Sequence, residues 1–206
     1  MPVIVVANPK GGVGKSTFST NLAGYFAAQG YKVMLGDADV QQSSRGWLAL
    51  RPGSLPLISA WEIEEGHVAK PPKGTTHIVL DTPAGLSGKR LEKVLQIADK
   101  VIVPLQPSMF DILATQEFLQ KLAERKKKDH VNVGVLGMRV HARTRAADQL
   151  QNYVEGLGLP VLGFLRDTQN YVQLAAHGHT LWDVVPARVE KDLEQWRDIV
   201  RWVESA

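Results

Sequence analysis

The sequence predicts an α/β fold built on one mostly parallel, twisted β-sheet with helices on both faces. Two observations predict it. Short runs rich in Val, Ile and Leu alternate with longer amphipathic segments, as successive βαβ units require. The short runs are also apolar on successive residues, which is typical of strands covered on both faces. The length of 206 residues suits one domain with a substantial core, so residues 1–206 are treated as a single domain.

The predicted strands are the short apolar runs. In chain order they are 3–8 (VIVVAN), 32–37 (KVMLGD), 77–81 (HIVLD), 100–105 (KVIVPL), 131–137 (VNVGVLG) and 160–164 (PVLGF). Helices are predicted between or after them, at 16–29, 87–98, 110–128, 144–156 and 187–204. Two segments rich in Pro and Gly, 51–56 and 69–76, are predicted to be turns within the domain and not linkers.

Composition excludes several classes of protein. There is no cysteine, which excludes disulfides, thiolate metal sites and cysteine nucleophiles. No apolar run approaches the roughly 18 residues of a membrane span, and no signal peptide is recognised at the N-terminus. A cytoplasmic protein is therefore expected. The net charge of +3 is uneven, because residues 121–145 contain eight basic residues against two acidic ones. Such a basic surface attracts polyanions.

A loop rich in glycine and lysine, NPKGGVGKST, lies between the first strand and the first helix. Counted from Pro9, it completes the phosphate-binding pattern G-x-x-x-x-G-K-[ST], except that proline replaces the first glycine. Glycines let backbone N–H groups curl round phosphate oxygens, and the helix N-terminus adds partial positive charge. The chain is therefore predicted to have a P-loop NTPase fold. The nucleotide-binding residues are predicted to be Gly11, Gly12, Val13, Gly14, Lys15, Ser16 and Thr17.

Three side chains of the loop have predicted roles. Lys15 is expected to contact the β- and γ-phosphates, the Ser16 hydroxyl to ligate Mg²⁺, and Thr17 to lie near the α-phosphate. A plain glycine turn before a helix is the alternative, but such a turn does not require the sequence G-K-S-T. The predicted cofactors are therefore ATP and Mg²⁺.

The loop resembles the deviant Walker A motif of the ParA/MinD-type ATPases, and the resemblance covers nearly the whole chain. In that family two subunits sandwich two ATP molecules face to face, and an early lysine reaches the partner's nucleotide. The resemblance implies this role for Lys10, since a cation aimed at the γ-phosphate of a second subunit makes dimerisation depend on that phosphate, much as an arginine finger does. A solvated surface lysine is the alternative.

Two acidic segments follow predicted strands, where α/β sheets place ligand groups. The segment GDADVQQS resembles the family's D-x-D-P-Q, with Val40 in place of the proline. The resemblance implies that Asp39 orients the attacking water and that Asp37 helps hold the magnesium shell; the N-cap of a helix over residues 41–49 is the alternative, above all for Asp39. The run HIVLDTPAG resembles a Walker B strand, which predicts that Asp81 binds Mg²⁺ through water. The turn 83–85 is a candidate sensor of the γ-phosphate.

The base-binding region is less specific. Segments 101–112 and 137–145 lie where the family contacts the purine. Many relatives have an asparagine near the position of Met138, and this chain does not. Adenine specificity therefore rests on the resemblance.

DNA is the expected macromolecular ligand, because ParA-type proteins bind DNA non-specifically through lysines and arginines. The segment HARTR resembles a ParA segment with a DNA-contacting arginine, which implies Arg143. Arg145 and Arg166 are further candidates. The basic run 125–128 ends a predicted helix, where cations also complement the helix dipole, so a DNA role and a solvated helix end both stay open.

The C-terminal segment separates the ParA-type expectation from the MinD type, whose members bind membranes through a terminal amphipathic helix. Five residues at helical spacing make one apolar stripe: Val189, Leu193, Trp196, Val200 and Val203. The polar face of a membrane-surface helix should be basic, but here acidic residues outnumber basic ones. The helix is therefore expected to pack on the sheet.

The sequence thus predicts a nucleoid-associated, ParA-like ATPase with Lys10, Lys15 and Asp39 as catalytic residues. It is expected to form an ATP-dependent homodimer that binds DNA and partitions or positions a plasmid, chromosome or protein cargo. A ParB-like or cargo-adaptor protein is expected to activate hydrolysis. Two alternatives stay open, namely a MinD-like membrane-associated regulator and a metabolic ligase of the dethiobiotin synthetase type.

Overall fold

The computed structural model describes residues 1–39, 41–61, 63–64, 67–68, 71–129, 131–141 and 145–205. Seven strands form one sheet in the order β3-β2-β6-β1-β7-β8-β9, and every pairing described in it is parallel. These strands are β1 (Val3–Val6), β2 (Val33–Asp37), β3 (Ile58–Trp61), β6 (His77–Asp81), β7 (Lys100–Leu105), β8 (Asn132–Val140) and β9 (Val161–Arg166). Two short strands, β4 (Ile63–Glu64) and β5 (His67–Val68), pair separately and antiparallel.

Within the described ranges, seven α-helices connect or follow the strands. They are α1 (Lys15–Ala28), α2 (Ser43–Leu50), α3 (Gly88–Ile97), α4 (Met109–Asp129), α5 (Arg145–Gly156), α6 (Gln169–Ala175) and α7 (Pro186–Glu204). A 3₁₀ turn, Leu181–Asp183, precedes α7. The predicted parallel α/β architecture is confirmed, and the predicted element ends lie within three residues of the observed ones. Helix α2 was predicted only within the capping alternative, as residues 41–49, and β3, α6 and the β4–β5 pair were not predicted.

The sheet is covered on both faces, as its uninterrupted apolar strands require. One face packs against α1 and α7, where the rings of Phe18 and Trp196 stack with centroids 4.9 Å apart. The other face packs against α3, α4 and α5, through side chains such as Leu91, Leu119 and Leu150. The carboxyl ends of the parallel strands β1, β2, β6 and β7 therefore lie side by side at one edge of the sheet, between the two layers of helices.

Helix α1 is buried around most of its circumference, because its residues are small or apolar on nearly every side. Asn21 fastens it to the 3₁₀ turn: its side-chain oxygen accepts from the Leu181 amide at 3.1 Å, and its backbone carbonyl accepts from Trp182 Nε1 at 3.0 Å. A Cβ at Gly24 would lie 2.4 Å from Thr180 Oγ1, so only glycine permits this close approach. The helix that begins at the glycine-rich loop is thus held firmly in place.

Helix α7 confirms the prediction that the C-terminal helix packs on the sheet. Its Trp196 is fully buried, and the indole Nε1 donates to Tyr171 Oη at 3.0 Å. Near its end, the Trp202 carbonyl accepts from Lys100 Nζ at 2.7 Å. Within the described ranges, we find no helix with the length and apolar character needed to cross a bilayer.

Candidate nucleotide-binding site

The glycine-rich loop connects the central strand β1 to α1. Two of its glycines have positive φ angles, 74° at Gly12 and 94° at Gly14, a conformation that a side chain would strain. Gly14 is also the residue immediately before α1, so the loop leads directly into the free N–H groups of a helix N-terminus. A Cβ on Gly14 would come 2.7 Å from the Met138 Cε methyl group. This loop therefore has the backbone geometry of a phosphate cradle.

The two lysines of the loop point to different places. Lys15 Nζ turns inward and donates to the Lys10 backbone carbonyl at 2.9 Å, and Lys15 is buried. The Lys10 side chain instead leaves the loop and forms an ion pair with Asp111 in the first turn of α4. The Lys10 side chain keeps 39% of its surface exposed. One cation thus lies within the cradle, and the other lies on the outer surface beside it.

Burial lowers the pKa of Lys15, because the charged ammonium is partly removed from water. The carboxylates of Asp81 and Asp39 oppose this effect and favour the charged form. Both acidic groups therefore act electrostatically on the ammonium inside the loop. An anionic phosphate bound there would add to the same stabilisation.

Asn8, at the start of the loop, holds its entry in place. Its side chain is fully buried and bonds in two directions: Oδ1 accepts from the Lys10 amide at 2.8 Å, and Nδ2 donates to the Pro104 carbonyl at 2.8 Å. Gln106 adds a further bond from Nε2 to the Gly12 carbonyl at 3.2 Å. Neither side chain is among the site residues predicted from the sequence. The available signal was an asparagine at the end of the predicted strand 3–8, since asparagine favours local turns.

Asp111 is a further site residue that was not predicted from the sequence. It is nearly buried, and its Oδ2 accepts from the Ser108 hydroxyl at 2.5 Å. The Asp111 amide donates to Ser108 Oγ at 3.1 Å, so Ser108 caps the start of α4. Asp111 therefore stands in a fixed orientation from which it binds the Lys10 ammonium.

The two aspartates predicted after β2 both make local bonds. Asp37 Oδ2 accepts from the backbone amides of Ser44 at 2.8 Å and Arg45 at 3.2 Å, so Asp37 caps α2. Asp39 Oδ1 accepts from the Gln41 amide at 3.0 Å. The helix-capping role, which was the alternative mainly for Asp39, is thus filled by Asp37. Magnesium binding by Asp37 and water positioning by Asp39 stay predictions.

Asp81 lies at the carboxyl end of β6, directly opposite Asp37 in the sheet register. The Ser44 hydroxyl donates to its Oδ2 at 2.6 Å. Its Oδ1 is buried and accepts no protein hydrogen bond of normal geometry within the described part of the chain. Burial raises the pKa of Asp81 to about 6. Hydrogen bonds from the Ser16 and Ser44 hydroxyls lower the pKa of Asp81, but by less than burial raises it.

These donors fit a magnesium ion. Mg²⁺ prefers oxygen ligands and keeps several waters, and the pair formed by the Ser16 hydroxyl and the unsatisfied Asp81 Oδ1 supplies what a water-bridged ion needs. Ser16 would bind the ion directly and Asp81 through water. The ion would neutralise negative charge on the phosphates. Among the residues that the structure describes, no group of three or more His, Cys, Asp or Glu side chains is arranged to hold a metal ion.

The turn after β6 contacts the loop directly. The Gly85 amide donates to the Pro9 carbonyl at 2.7 Å, and a Cβ on Gly11 would lie 3.8 Å from Ala84 Cβ. Gly85 has a φ of 74°, which favours glycine at this position. The turn predicted to sense the γ-phosphate is thus next to the cradle, and its role as a sensor stays a prediction.

Of the three arginines predicted to bind DNA, the structure describes Arg145 and Arg166. Arg143 lies outside the described residues. Arg145 is exposed at the first position of α5. Arg166 Nε donates to the buried Asp192 Oδ1 at 2.5 Å, and Asn170 Nδ2 donates to Asp192 Oδ2 at 2.6 Å. Arg166 is therefore held by an ion pair with the buried Asp192, while 37% of its side chain stays exposed. DNA contact by these residues stays a prediction.

Comparison with known proteins assigns this architecture to a family. Residues 4–181 match the family described as the CobQ/CobB/MinD/ParA nucleotide binding domain. The chain is 31% identical over 180 residues to "Maintenance of carboxysome distribution protein A" of Gloeobacter kilaueensis, covering 85% of this chain and 82% of the relative. It is 28% identical over 183 residues to "Chromosome-partitioning ATPase Soj" of Thermus thermophilus, covering 72% and 73%.

Solved structures agree in fold at low sequence identity. MinD of Pyrococcus horikoshii, complexed with Mg-ADP, superposes with a TM-score of 0.73 at 17% identity, covering 99% of this chain and 96% of that one. An ATP complex of Cyanothece McdA gives a TM-score of 0.73 at 17% identity, with 97% and 96% covered. The chain therefore belongs to the CobQ/CobB/MinD/ParA nucleotide-binding domain family and is a P-loop ATPase of the ParA/MinD type.

Proposed function

We propose that this ATPase is a ParA-like switch that positions a cargo. Two copies assemble face to face around two ATP molecules, and the dimer binds DNA non-specifically. Hydrolysis separates the copies and releases the DNA. A ParB-like or cargo-adaptor protein accelerates this step, so that ATP turnover is coupled to movement of a plasmid, chromosome or protein assembly over the nucleoid.

The observation that carries the proposal is the direction of Lys10. A second lysine is unnecessary for the cradle, because the Lys15 ammonium already lies inside it. The Lys10 side chain leaves the loop and lies partly exposed at the same edge of the sheet. Exchange of the Lys10–Asp111 ion pair for a contact with a phosphate held by another molecule would tie assembly to ATP.

Two further observations support the choice of ligand and cargo. Non-specific DNA binding requires basic residues on one surface, and the net charge of +6 over residues 121–145 supplies candidates. Relatives named for carboxysome distribution and chromosome partitioning support a positioning role. Both kinds of cargo fit the proposal, since cargo choice belongs to the partner protein.

Substitution of the two lysines tests whether Lys15 binds the nucleotide of its own chain and Lys10 acts on that of the partner. Lys15→Ala is expected to weaken ADP and ATP binding by the monomer at least 100-fold, because the cation inside the cradle is lost. Lys10→Ala is expected to leave ADP affinity within about threefold of wild type, but to abolish ATP-dependent dimerisation and to lower hydrolysis at least 100-fold. Fluorescent nucleotide titration, light scattering and phosphate release measure the three properties.

Lys121→Ala is a suitable control, since this exposed lysine on α4 forms an ion pair with the exposed Glu117 on the same helix. It is expected to behave as wild type in all three assays. Normal ATP-dependent dimers of the Lys10→Ala variant would refute the proposed action of Lys10 on the partner's nucleotide.

DNA binding is tested by electrophoretic shift with ATP, ADP and no nucleotide. We expect a shift of duplexes of unrelated sequence with ATP only. Arg145→Glu is expected to weaken binding several-fold and to reduce its salt dependence, because a phosphate contact is lost, while the dimer persists. Arg201→Glu on α7, where the exposed Arg201 pairs with Asp198, is the control. ATP-dependent sedimentation with liposomes, in the absence of any DNA shift, would favour the MinD-like alternative instead.

A further inference from the structure

The order of the strands indicates which way a bound nucleotide runs from the glycine-rich loop. Asp37 and Asp81 end β2 and β6, which lie on one side of β1 and its loop. Mg²⁺ bridges the β- and γ-phosphates, so an ion held beside Asp81 places the terminal phosphates on that side. The nucleoside, at the other end of the phosphate chain, then lies toward the carboxyl ends of β7, β8 and β9. Residues at those ends are therefore the nearest to the base.

Met138 lies where the loop meets this side. It is buried near the end of β8, and a Cβ on Gly14, the last loop residue before α1, would come 2.7 Å from its Cε methyl group. The thioether thus adjoins the end of the cradle that is away from Asp81. A thioether donates no hydrogen bond and accepts one only weakly. Met138 can pack against a base, but it cannot read the polar groups that distinguish one purine from another.

Arg139, the next residue of β8, has an unusual backbone conformation. Its φ is 53°, and it is exposed between two buried neighbours. From the pair Gly137–Phe164 to the pair Val140–Arg166, β8 advances three residues and β9 advances two, so β8 has a bulge at Arg139. Bulges redirect side chains beside active sites, and left-handed non-glycine residues cluster at functional sites. In the described part of the chain, no ion pair or hydrogen bond engages the Arg139 guanidinium.

The chemistry of these side chains does not select adenine. Adenine presents a donor, N6, beside the acceptor N7, a pair that an amide side chain matches; guanine presents two acceptors, O6 and N7, which a guanidinium matches bidentately. Two amides on this side are already bonded, Gln106 Nε2 to the Gly12 carbonyl at 3.2 Å and Asn170 Nδ2 to Asp192 Oδ2 at 2.6 Å. Arg139 carries donors only, which suit guanine.

We propose that this nucleotide site accepts guanine about as well as adenine, so that the chain hydrolyses GTP as well as ATP. A site built to hydrogen-bond one base rejects the wrong one by about 10⁴-fold, whereas an apolar contact discriminates far less. The reaction is that of ATP: water adds to the γ-phosphorus, its bond to the β–γ bridging oxygen breaks, and GDP, inorganic phosphate and a proton are released. The inference concerns the nucleotide site alone and does not depend on dimerisation or DNA binding.

Titration of the full chain with ADP and GDP, each carrying a fluorescent label on the ribose, tests the inference in the presence of Mg²⁺. We expect the two dissociation constants to agree within about tenfold, and phosphate release from GTP to proceed within about tenfold of the rate from ATP. A preference for ADP of about 100-fold or more would overturn the inference. Binding of GDP without any release of phosphate from GTP would overturn the proposed GTP hydrolysis.

Two variants test the residues. Met138→Asn introduces an amide and is expected to raise the preference for ADP about tenfold or more, because the amide pairs with N6 and N7 of adenine. Arg139→Gln changes an exposed residue, which keeps the test valid if Met138→Asn folds poorly, and should shift the preference toward ADP by about tenfold. Arg201→Gln, at an exposed arginine of α7, is the matched control and should leave both affinities unchanged.

Two outcomes of the variant series would contradict the assignment. Unaltered ratios of ADP to GDP affinity in both Met138→Asn and Arg139→Gln would show that neither side chain lies at the base. A strong preference for ADP that Gln169→Ala abolishes would also overturn the inference, and it would assign the reading of adenine to that exposed amide at the start of α6.

Discussion

Asp81→Asn is expected to stabilise the nucleotide-free protein while it impairs Mg²⁺-dependent nucleotide binding. The pKa of Asp81 is about 6 in the fold, above the ordinary value of 3.8 that it regains on unfolding. Between these two pH values the folded chain binds more protons, so its stability falls as the pH rises. Above pH 6 the ionised, buried carboxylate costs about 3 kcal/mol. The neutral amide removes most of this cost, and we expect a gain of about 1–3 kcal/mol at pH 7.5 by urea unfolding.

Magnesium binding should change in the opposite direction. Loss of the carboxylate is expected to lower Mg²⁺-dependent nucleotide affinity 10- to 100-fold. In the wild type the same affinity should fall about tenfold for each pH unit below 6, because Mg²⁺ requires the ionised form of Asp81. Asp198→Asn, at an exposed ion pair on α7, is the control and should alter neither quantity. A destabilised Asp81→Asn variant at pH 7.5 would contradict the assignment.

Arg51→Met is expected to destabilise the fold by about 3–5 kcal/mol. Arg51 donates from both terminal nitrogens to the Asp183 carboxylate, at 2.8 and 2.9 Å, and both side chains are almost entirely buried. Its guanidinium also donates to the Gly178 and Pro56 carbonyls. Removal of the cation leaves a buried, uncompensated charge. Thermal or urea unfolding measures the loss.

Acid titration provides a second test of the Arg51 pair. Burial alone would raise the pKa of Asp183, but hydrogen bonds from Arg51 and Thr180 outweigh it and hold that pKa below its ordinary value. This stabilisation is therefore present above pH 3.8 and is lost as the pH falls through the lowered pKa. The Arg51→Met variant should lose much of that acid dependence. Arg201→Met, at the exposed pair with Asp198, should cost no more than about 0.5 kcal/mol. Equal losses in the two variants would refute the special importance of the buried pair.

Local sequence was sufficient to predict the loop and most of the architecture. The G-K-S-T run after an apolar strand predicts a phosphate cradle, because the strand, the glycines and the helix start act over a few neighbouring residues. The strands were equally clear, since burial on both faces removes the polar alternation. Helix α2 was predicted only as an alternative, because it has only eight residues, including two serines and a glycine, and because its cap, Asp37, lies six positions before it.

Contacts between distant segments were not predictable in the same way. Lys10 and Asp111 are 101 positions apart, and Arg51 and Asp183 are 132 apart. Sequence alone shows a lysine in a loop and an aspartate at a helix start, and each has an ordinary local explanation. Only the parallel order of β1 beside β7 brings the first pair to one edge. The exposure of Phe110 was likewise hidden, because an apolar residue at the start of a long helix looks like a core residue in a one-dimensional pattern.

Helix α1 has a mechanical consequence for the opposite end of the molecule. Its 14 residues extend about 21 Å from Lys15 and lead toward Tyr25, whose hydroxyl donates to the Glu204 carboxylate at 2.5 Å. Close packing on nearly every side opposes bending of this helix. A displacement of the loop on nucleotide exchange is therefore expected to move α1 and, through Tyr25 and Glu204, the C-terminal end of α7.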